Sequence, residues 1–363
     1  IEADALDASG VAQLQTTSAI TAAPSGTYVF RMHTTSAQGS TATVGQVTVS
    51  GGAFQSGSVD VNRAGVASSP TLTAFTFNAP TVNGRGSGSF TETPGATSSF
   101  NYYIVDSNHI RLLSTDASSN IGGEGVAELQ TGGPFSASSF SGSYVFSGAG
   151  DDATGIGSVN TVGQFTAAGG TISSGTYDSV ADGTPQSNVA FTSGTYQVSA
   201  NGRVTASFVS PTGTSNKVFW LVTPTRAFFL TSSDTSNSTL IEDGTADLQQ
   251  TSTFSNSSIN GQFALMMHGF NPNFFIDRVG TLQWDGAGNL KLNEVVNDTG
   301  TVNSPGQLTG TYSVSPNGRV TGTVTSLSVN PNDLVFYMIS NTDGYALQAD
   351  SATQLAGRVT QQQ

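Results

Sequence analysis

The segment TVGQVTVSGGAFQSGSVDVNRAG (Thr43–Gly65) recurs without a gap as TVGQFTAAGGTISSGTYDSVADG (Thr161–Gly183). A third, more diverged copy reads VGTLQWDGAGNLKLNEVVNDTG (Val279–Gly300). In each, two strand-like runs flank a glycine pair or an Asp-Gly: Gly51-Gly52, Gly169-Gly170, Asp285-Gly286. Such pairs accept positive φ and close hairpins. The segment therefore establishes antiparallel strands and a threefold internal repeat together.

Outward from it the repeat continues. GTYQVSANGRVTAS (Gly194–Ser207) matches GTYSVSPNGRVTGT (Gly310–Thr323), while the first copy keeps only Asn83-Gly84-Arg85. Asn83-Gly84, Asn201-Gly202 and Asn317-Gly318 predict type I′ hairpin turns. The opening strand reads SGTYVF (Ser25–Phe30), SGSYVF (Ser141–Phe146) and NGQFAL (Asn260–Leu265). Its aromatics sit two apart, the period of a strand. An aromatic strand follows as NYYIV (Asn101–Val105), VFWLV (Val218–Val222) and VFYMI (Val335–Ile339).

No helical period of useful length is present. The second unit holds eight strand candidates, 142–149, 157–167, 171–180, 189–199, 203–210, 217–223, 227–232 and 244–250. The fold class is all-β: three tandem antiparallel eight-stranded meanders, as small up-and-down barrels or as sandwiches. The domains are 1–24 (an arm with a spare strand), 25–131, 132–250 and 251–363. Each is introduced by a Ser/Thr-rich linker, 17–25, 132–140 or 251–259, so a recurrent angle between domains is expected.

The closing strand occurs one time more than the rest of the unit. It reads GVAQLQT (Gly10–Thr16), GVAELQT (Gly125–Thr131), GTADLQQ (Gly244–Gln250) and GRVTQQQ (Gly357–Gln363). Ala12 and Leu14 alternate with Gln13, as in a strand with one buried face. Val11, Ala12, Leu14 and Gln15 are therefore a candidate donor strand that completes a sheet in a neighbouring chain. Alternatively this strand pairs within its own first domain, and Leu355, Val359 and Gln361 are the donor. A third reading makes the chain part of a longer array. Donation gives a head-to-tail homopolymer in which the chain is its own partner.

Composition limits the partners. The 363 residues carry a formal net charge of −13, with Lys plus Arg at 11. Nucleic acid needs a basic stripe, which is lacking, and an anionic membrane would repel the chain. There is no Cys for disulfides or thiolate sites. No apolar run approaches a membrane span, so membrane insertion is not expected. Low charge and abundant Ser and Thr suit an extracellular or cell-surface protein, its targeting segment already removed.

Catalytic chemistry is not evident, and neither an enzyme nor a cofactor is expected. His33 and His268 occupy equivalent places three residues after Phe30 and Leu265, where the second unit has Ala149. A lone histidine at a strand end reads as surface, and His109 has no evident partner. Asp151-Asp152 and Asp285–Asn289 lack calcium-loop spacing, so no metal is expected. No carboxylate pair recurs in all units as a glycosidase would need. Asn237, Asn256 and Asn297 head glycosylation sequons.

The G-x-Y-x-F opening, glycine hairpin, N-G-R turn and G-x-A-x-L-Q closing strand resemble tandem β-repeats of large secreted bacterial surface proteins. Gly142, Tyr144, Phe146, Gly163, Gly194, Tyr196, Asn201, Gly202, Ala246 and Leu248 carry that resemblance. It implies a location and no activity. By mechanism, the spare strand resembles the donor strands of pilus subunits. The expected function is a structural subunit of an extracellular filament. The alternative is an adhesin-like array for surface carbohydrate or a small apolar ligand.

Overall fold

The computed structural model describes residues 12–16, 20–36, 39–94, 97–116, 122–152, 158–270, 275–298, 300–325, 332–349 and 353–362. Val11 of the candidate donor strand lies outside them. Barrel 1 comprises β1 (Gly26–Ser36), β2 (Gly39–Ser50), β3 (Ala53–Arg63), β4 (Val66–Ser68) and β5 (Thr71–Phe77). It continues with β6 (Arg85–Thr93), β7 (Thr97–Ile104), β8 (His109–Ser114) and β9 (Gly122–Leu129).

Barrel 2 repeats the order as β10 (Gly142–Asp152), β11 (Ser158–Ala168), β12 (Thr171–Ala181), β13 (Thr184–Ala190) and β14 (Ser193–Val198). It ends with β15 (Arg203–Ser210), β16 (Gly213–Thr223), β17 (Arg226–Asp234) and β18 (Leu240–Leu248). Barrel 3 has β19 (Asn260–Phe270), β20 (Phe275–Asp285), β21 (Asn289–Asp298), β22 (Thr301–Asn303) and β23 (Gln307–Val314). Its last strands are β24 (Arg319–Thr325), β25 (Asn332–Ser340), β26 (Asp343–Ala349) and β27 (Gln354–Gln361).

Closure decides between barrel and sandwich. In each unit the first strand pairs with both the second and the last, and the third pairs with the second and the fifth. Eight antiparallel strands thus form a ring, which removes free edges. The short fourth strand is additional: β4 lies on the far half of β3, whose near end pairs with β5. The run 189–199, expected as one strand, divides between β13 and β14. Ala64-Gly65 and Asp182-Gly183 make the turn into this extra strand, with both residues at positive φ.

The cores follow from the alternation. In barrel 2, Phe140, Tyr144, Phe146, Phe165, Phe208, Phe219 and Phe229 point inward and are buried. Phe165 stacks on Tyr144 at 5.6 Å and meets Phe208 edge-on at 5.1 Å. Gly163 makes room for this filling, because a Cβ there would lie 2.6 Å from the Phe146 ring. One end of each barrel is stoppered by its linker: Ile20 in barrel 1, Phe135 and Phe140 in barrel 2, Phe254 and Ile259 in barrel 3.

The terminal segments differ from the strand-donation expectation. Ala12, Leu14 and Gln15 are not in a strand, and Leu14 is 94% exposed. At the other terminus Leu355 and Val359 are buried, and β27, including Gln361, pairs with β19 and β26. A closed ring whose first strand has both edges occupied offers no slot for an incoming strand. The turns also differ. Only the glycine of each Asn-Gly has positive φ, at 76°, 90° and 87° for Gly84, Gly202 and Gly318. In barrel 2, Gly202 N–H donates to Ser199 O and Ser199 N–H to Arg203 O. This is a three-residue loop with a left-handed glycine last, not a type I′ pair.

Removing the most connected ring tests the core. Phe165→Ala should cost about 3–5 kcal/mol. Denaturant unfolding followed through Trp220 would show the lowered midpoint.

Candidate functional site

The barrels are joined wall to wall, and both junctions repeat one plan. From barrel 1 come Val29, Ala42, Val44 and Val126; from barrel 2, Val218, Trp220, Val222, Phe228, Leu230 and Ile241. All are outward-facing residues of their own barrels, yet all are buried. Barrel 2 in turn presents Val145, Val162 and Val180 to Val335, Tyr337, Ile339, Tyr345 and Leu347 of barrel 3.

A carboxylate lies within each apolar contact. Asp60, 2% exposed, accepts from Arg203 Nε (2.8 Å) and Nη2 (2.6 Å), Trp220 Nε1 (2.9 Å) and Ser69 Oγ (2.6 Å). Asp178, 0% exposed, accepts from Arg319 Nε (2.7 Å) and Nη2 (2.5 Å), Tyr337 Oη (2.7 Å) and Ser187 Oγ (3.0 Å). The residues differ but the geometry is the same. A bidentate arginine and one aromatic donor from the following barrel hold one aspartate of the preceding barrel. Burial, then the Asp178 charge, push the Tyr337 hydroxyl far up, so it remains a donor.

A second carboxylate flanks each junction. Glu128 accepts from Arg226 Nε at 2.7 Å and Nη2 at 3.0 Å. Arg226 also donates from Nη1 to Asp247 (2.7 Å), which accepts from Tyr345 Oη (2.5 Å). Backbone is bridged as well: Asn62 Nδ2 donates to Thr231 O and Leu240 O, each at 2.8 Å, and Asn160 Nδ2 to Gln354 O at 2.9 Å.

The covalent connection is a latch. Gln130 Nε2 donates to Asn201 O (3.1 Å) and Leu221 O (2.6 Å), across the N-G-R hairpin of the following barrel. Gln249 repeats this on Asn317 O (3.0 Å) and Met338 O (2.8 Å), and Gln15 on Asn83 O (3.3 Å) and Ile104 O (2.8 Å). The turn glycine is the seat. A Cβ on Gly202 or Gly318 would lie 2.8 Å from the glutamine nitrogen. The segment around Gln15 therefore does for barrel 1 what the linkers do for barrels 2 and 3. Gln13 extends it, accepting from Arg111 Nε and Nη2 at 2.8 and 2.6 Å.

Histidine and the seam add chemistry that the sequence reading set aside. His33 Nδ1 lies 2.6 Å from Asp243 of barrel 2, beside Arg31, whose Nη1 donates to Asp243 at 2.7 Å. Burial alone would lower the His33 pKa, but Asp151 and Asp243 overcome that and push it up to about 10. His268 pairs with Asp277 of its own barrel at 2.7 Å, and His109 with Asp106 at 2.8 Å. A polar cleft of about 320 Å3 follows the seam, lined by Glu128, Arg226, Asp247, Asp343 and Arg358 among others. Among the described residues no three His, Asp or Glu side chains converge as metal ligands, and no helix is long and apolar enough to cross a membrane.

No protein-family model matches the chain, and no curated protein matches it either. Among solved structures, transferrin binding protein B of Haemophilus parasuis aligns over 93% of this chain and 75% of its own, at 10% identity and TM-score 0.23. Its Neisseria meningitidis counterpart aligns over 94% and 76%, at 8% and 0.25. A protein of unknown function from Nostoc punctiforme aligns over 93% and 96%, at 6% and 0.22. These values transfer no activity or partner.

The His33 contact makes the first junction pH-dependent. The folded-state pKa lies above the ordinary 6.5, so the contribution is complete below about pH 6.5 and is lost as pH rises through about 10. Acrylamide quenching of Trp220 should increase over that interval in the Trp284→Phe protein. His33→Ala should abolish the pH dependence.

Proposed function

We propose that the protein is a structural segment of a bacterial cell surface: a rigid row of β-barrels that holds what it carries at fixed spacing and angle. One observation carries this reading, the repetition at both junctions of the same buried aspartate, bidentate arginine and glutamine latch. A flexible tether between domains would need none of these contacts. Inter-domain contacts of ordinary polarity leave domains free to move. Here apolar walls and buried ion pairs with defined geometry oppose that freedom. Low charge and abundant Ser and Thr support the extracellular location. No catalytic role is assigned.

Strand donation is not part of this reading, because Gln13, Gln15 and β27 are engaged within their own chain. The binding alternative moves elsewhere. The interior of barrel 2 is filled by aromatic rings, so a small apolar ligand would have to displace them. The seam cleft, with its arginines and carboxylates, suits a polar ligand such as a surface carbohydrate.

Solution scattering and single-particle images should give one inter-barrel arrangement. Asp178→Ala leaves the Arg319 guanidinium without its partner and should weaken the second junction by about 3–5 kcal/mol. The barrels should stay folded by circular dichroism while the images broaden into a range of angles. A broad range in the unchanged protein would refute rigidity. Antibody labelling that requires permeabilised cells would refute the location.

A further inference from the structure

Two further walls carry the junction positions without a partner barrel. Strand register places Arg85 and Tyr103 where barrel 2 has Arg203 and Trp220, and barrel 3 has Arg319 and Tyr337. Arg111 and Leu113 likewise match Phe228 and Leu230, or Tyr345 and Leu347. The docked members are buried, whereas Tyr103 is 43% and Leu113 54% exposed. Gln15 already sits in the Asn83-Gly84 hairpin. Barrel 1 thus presents part of an accepting half: Arg85, Tyr103 and Leu113 stand on the wall and Gln15 in the hairpin seat, while Arg111 already donates to Gln13 and Asn101 stands where Val218 and Val335 stand.

The donating wall of barrel 3 is different. Val279 stands where Val44 and Val162 stand, and is 52% exposed where they are buried. Val295 replaces Asp60 and Asp178. Thr360 replaces Glu128 and Asp247, and Arg358 stands in place of Val126. Both junction carboxylates are missing, and Arg358 is paired with Asp343 of its own barrel.

We propose that the wall of barrel 1 around Arg85 and Tyr103 is a docking site for another barrel of this repeat type whose outer wall carries a carboxylate where Asp60 and Asp178 stand, and that this chain's own third barrel is rejected as occupant. Burying Arg85 against Val295 would leave a desolvated guanidinium without a counter-charge, which is strongly unfavourable. Partner choice is a difference between affinities, and unpaired charge is a direct way to create it. That carboxylate position therefore fixes the order in which such barrels stack. Its replacement by Val295 also makes head-to-tail assembly of identical chains through these walls unfavourable, contrary to the homopolymer expectation. The inference rests on the junction contacts and not on the surface location, so it can fail while the location stands.

The test converts barrel 3 into an acceptable occupant. Val295 is exposed, so Val295→Asp leaves the core intact. Sedimentation velocity should show the unchanged chain as a monomer. The Val295→Asp chain should self-associate at least about tenfold more tightly, a difference of about 1.4 kcal/mol, with dissociation in high salt. Adding Arg85→Ala should restore the monomer. The Val295→Glu chain serves if Val295→Asp misfolds. A natively folded variant that stays monomeric overturns the proposal. So does self-association of the unchanged chain that Arg85→Ala abolishes.

Discussion

Asp60 and Asp178 lose almost all contact with water, and each carboxylate is satisfied by donors from the next barrel together with local ones, Ser69 for Asp60 and Ser187 with the Asn188 N–H for Asp178. A buried carboxylate without such donors is strongly unfavourable. The surrounding valines, Trp220 and Tyr337 supply most of the attraction through area removed from water, which is not directional. The ion pair supplies direction. It is satisfied at one register and one angle, because the arginine fork and the aromatic donor must both reach the same two oxygens. Buried pairs of this kind contribute less to net stability than to the choice among alternative packings. In this chain the choice made is the angle between barrels.

The strand pattern was legible because each strand has one face inside, so period-two alternation survives in the sequence. The repeat made it more secure, since three imperfect copies agree on where glycine is required. The junctions were less legible for the opposite reason. A strand buried on both faces, such as VFWLV, shows no alternation to say which side meets another barrel. Asp60 and Asp178 align perfectly in the first two copies, but a carboxylate in a strand reads as solvent-facing until its partner is known. That partner lies over 140 residues away in sequence. The extra strand β13 was not separated from β14 in the run 189–199, because PQSNVA has the composition of a loop. His33 could not be distinguished from His268 by position. What separates them is Asp243, contributed by the next barrel in one case and absent in the other.

The GVAQLQT segment illustrates the limits of pattern. Its resemblance to GVAELQT is genuine, and it led to the expectation of a spare strand. The apolar alternation of Ala12 and Leu14 is not what the structure uses. Gln15 is used, and so is Gln13, a position read as the plain outer face of a strand. In the complete copies one short segment serves two purposes. Ala127 and Leu129 close barrel 1, while Glu128 and Gln130 hold barrel 2. Alternation lets a single strand do both, since its two faces belong to different barrels.

The N-G-R triplets join these observations. Read by turn chemistry alone they are hairpin connections, and the glycine does have the required backbone. Yet each of the three residues has a second contact in the second and third copies. The asparagine carbonyl accepts the latch glutamine, the glycine leaves space for it, and the arginine reaches the aspartate of the preceding barrel. Latch and wall contact are thereby fixed to one another through two consecutive peptide units. A rotation that broke the ion pair would also pull the turn away from the glutamine. Coupling two modest polar contacts through so short a lever makes the junction resist bending more than either contact would alone.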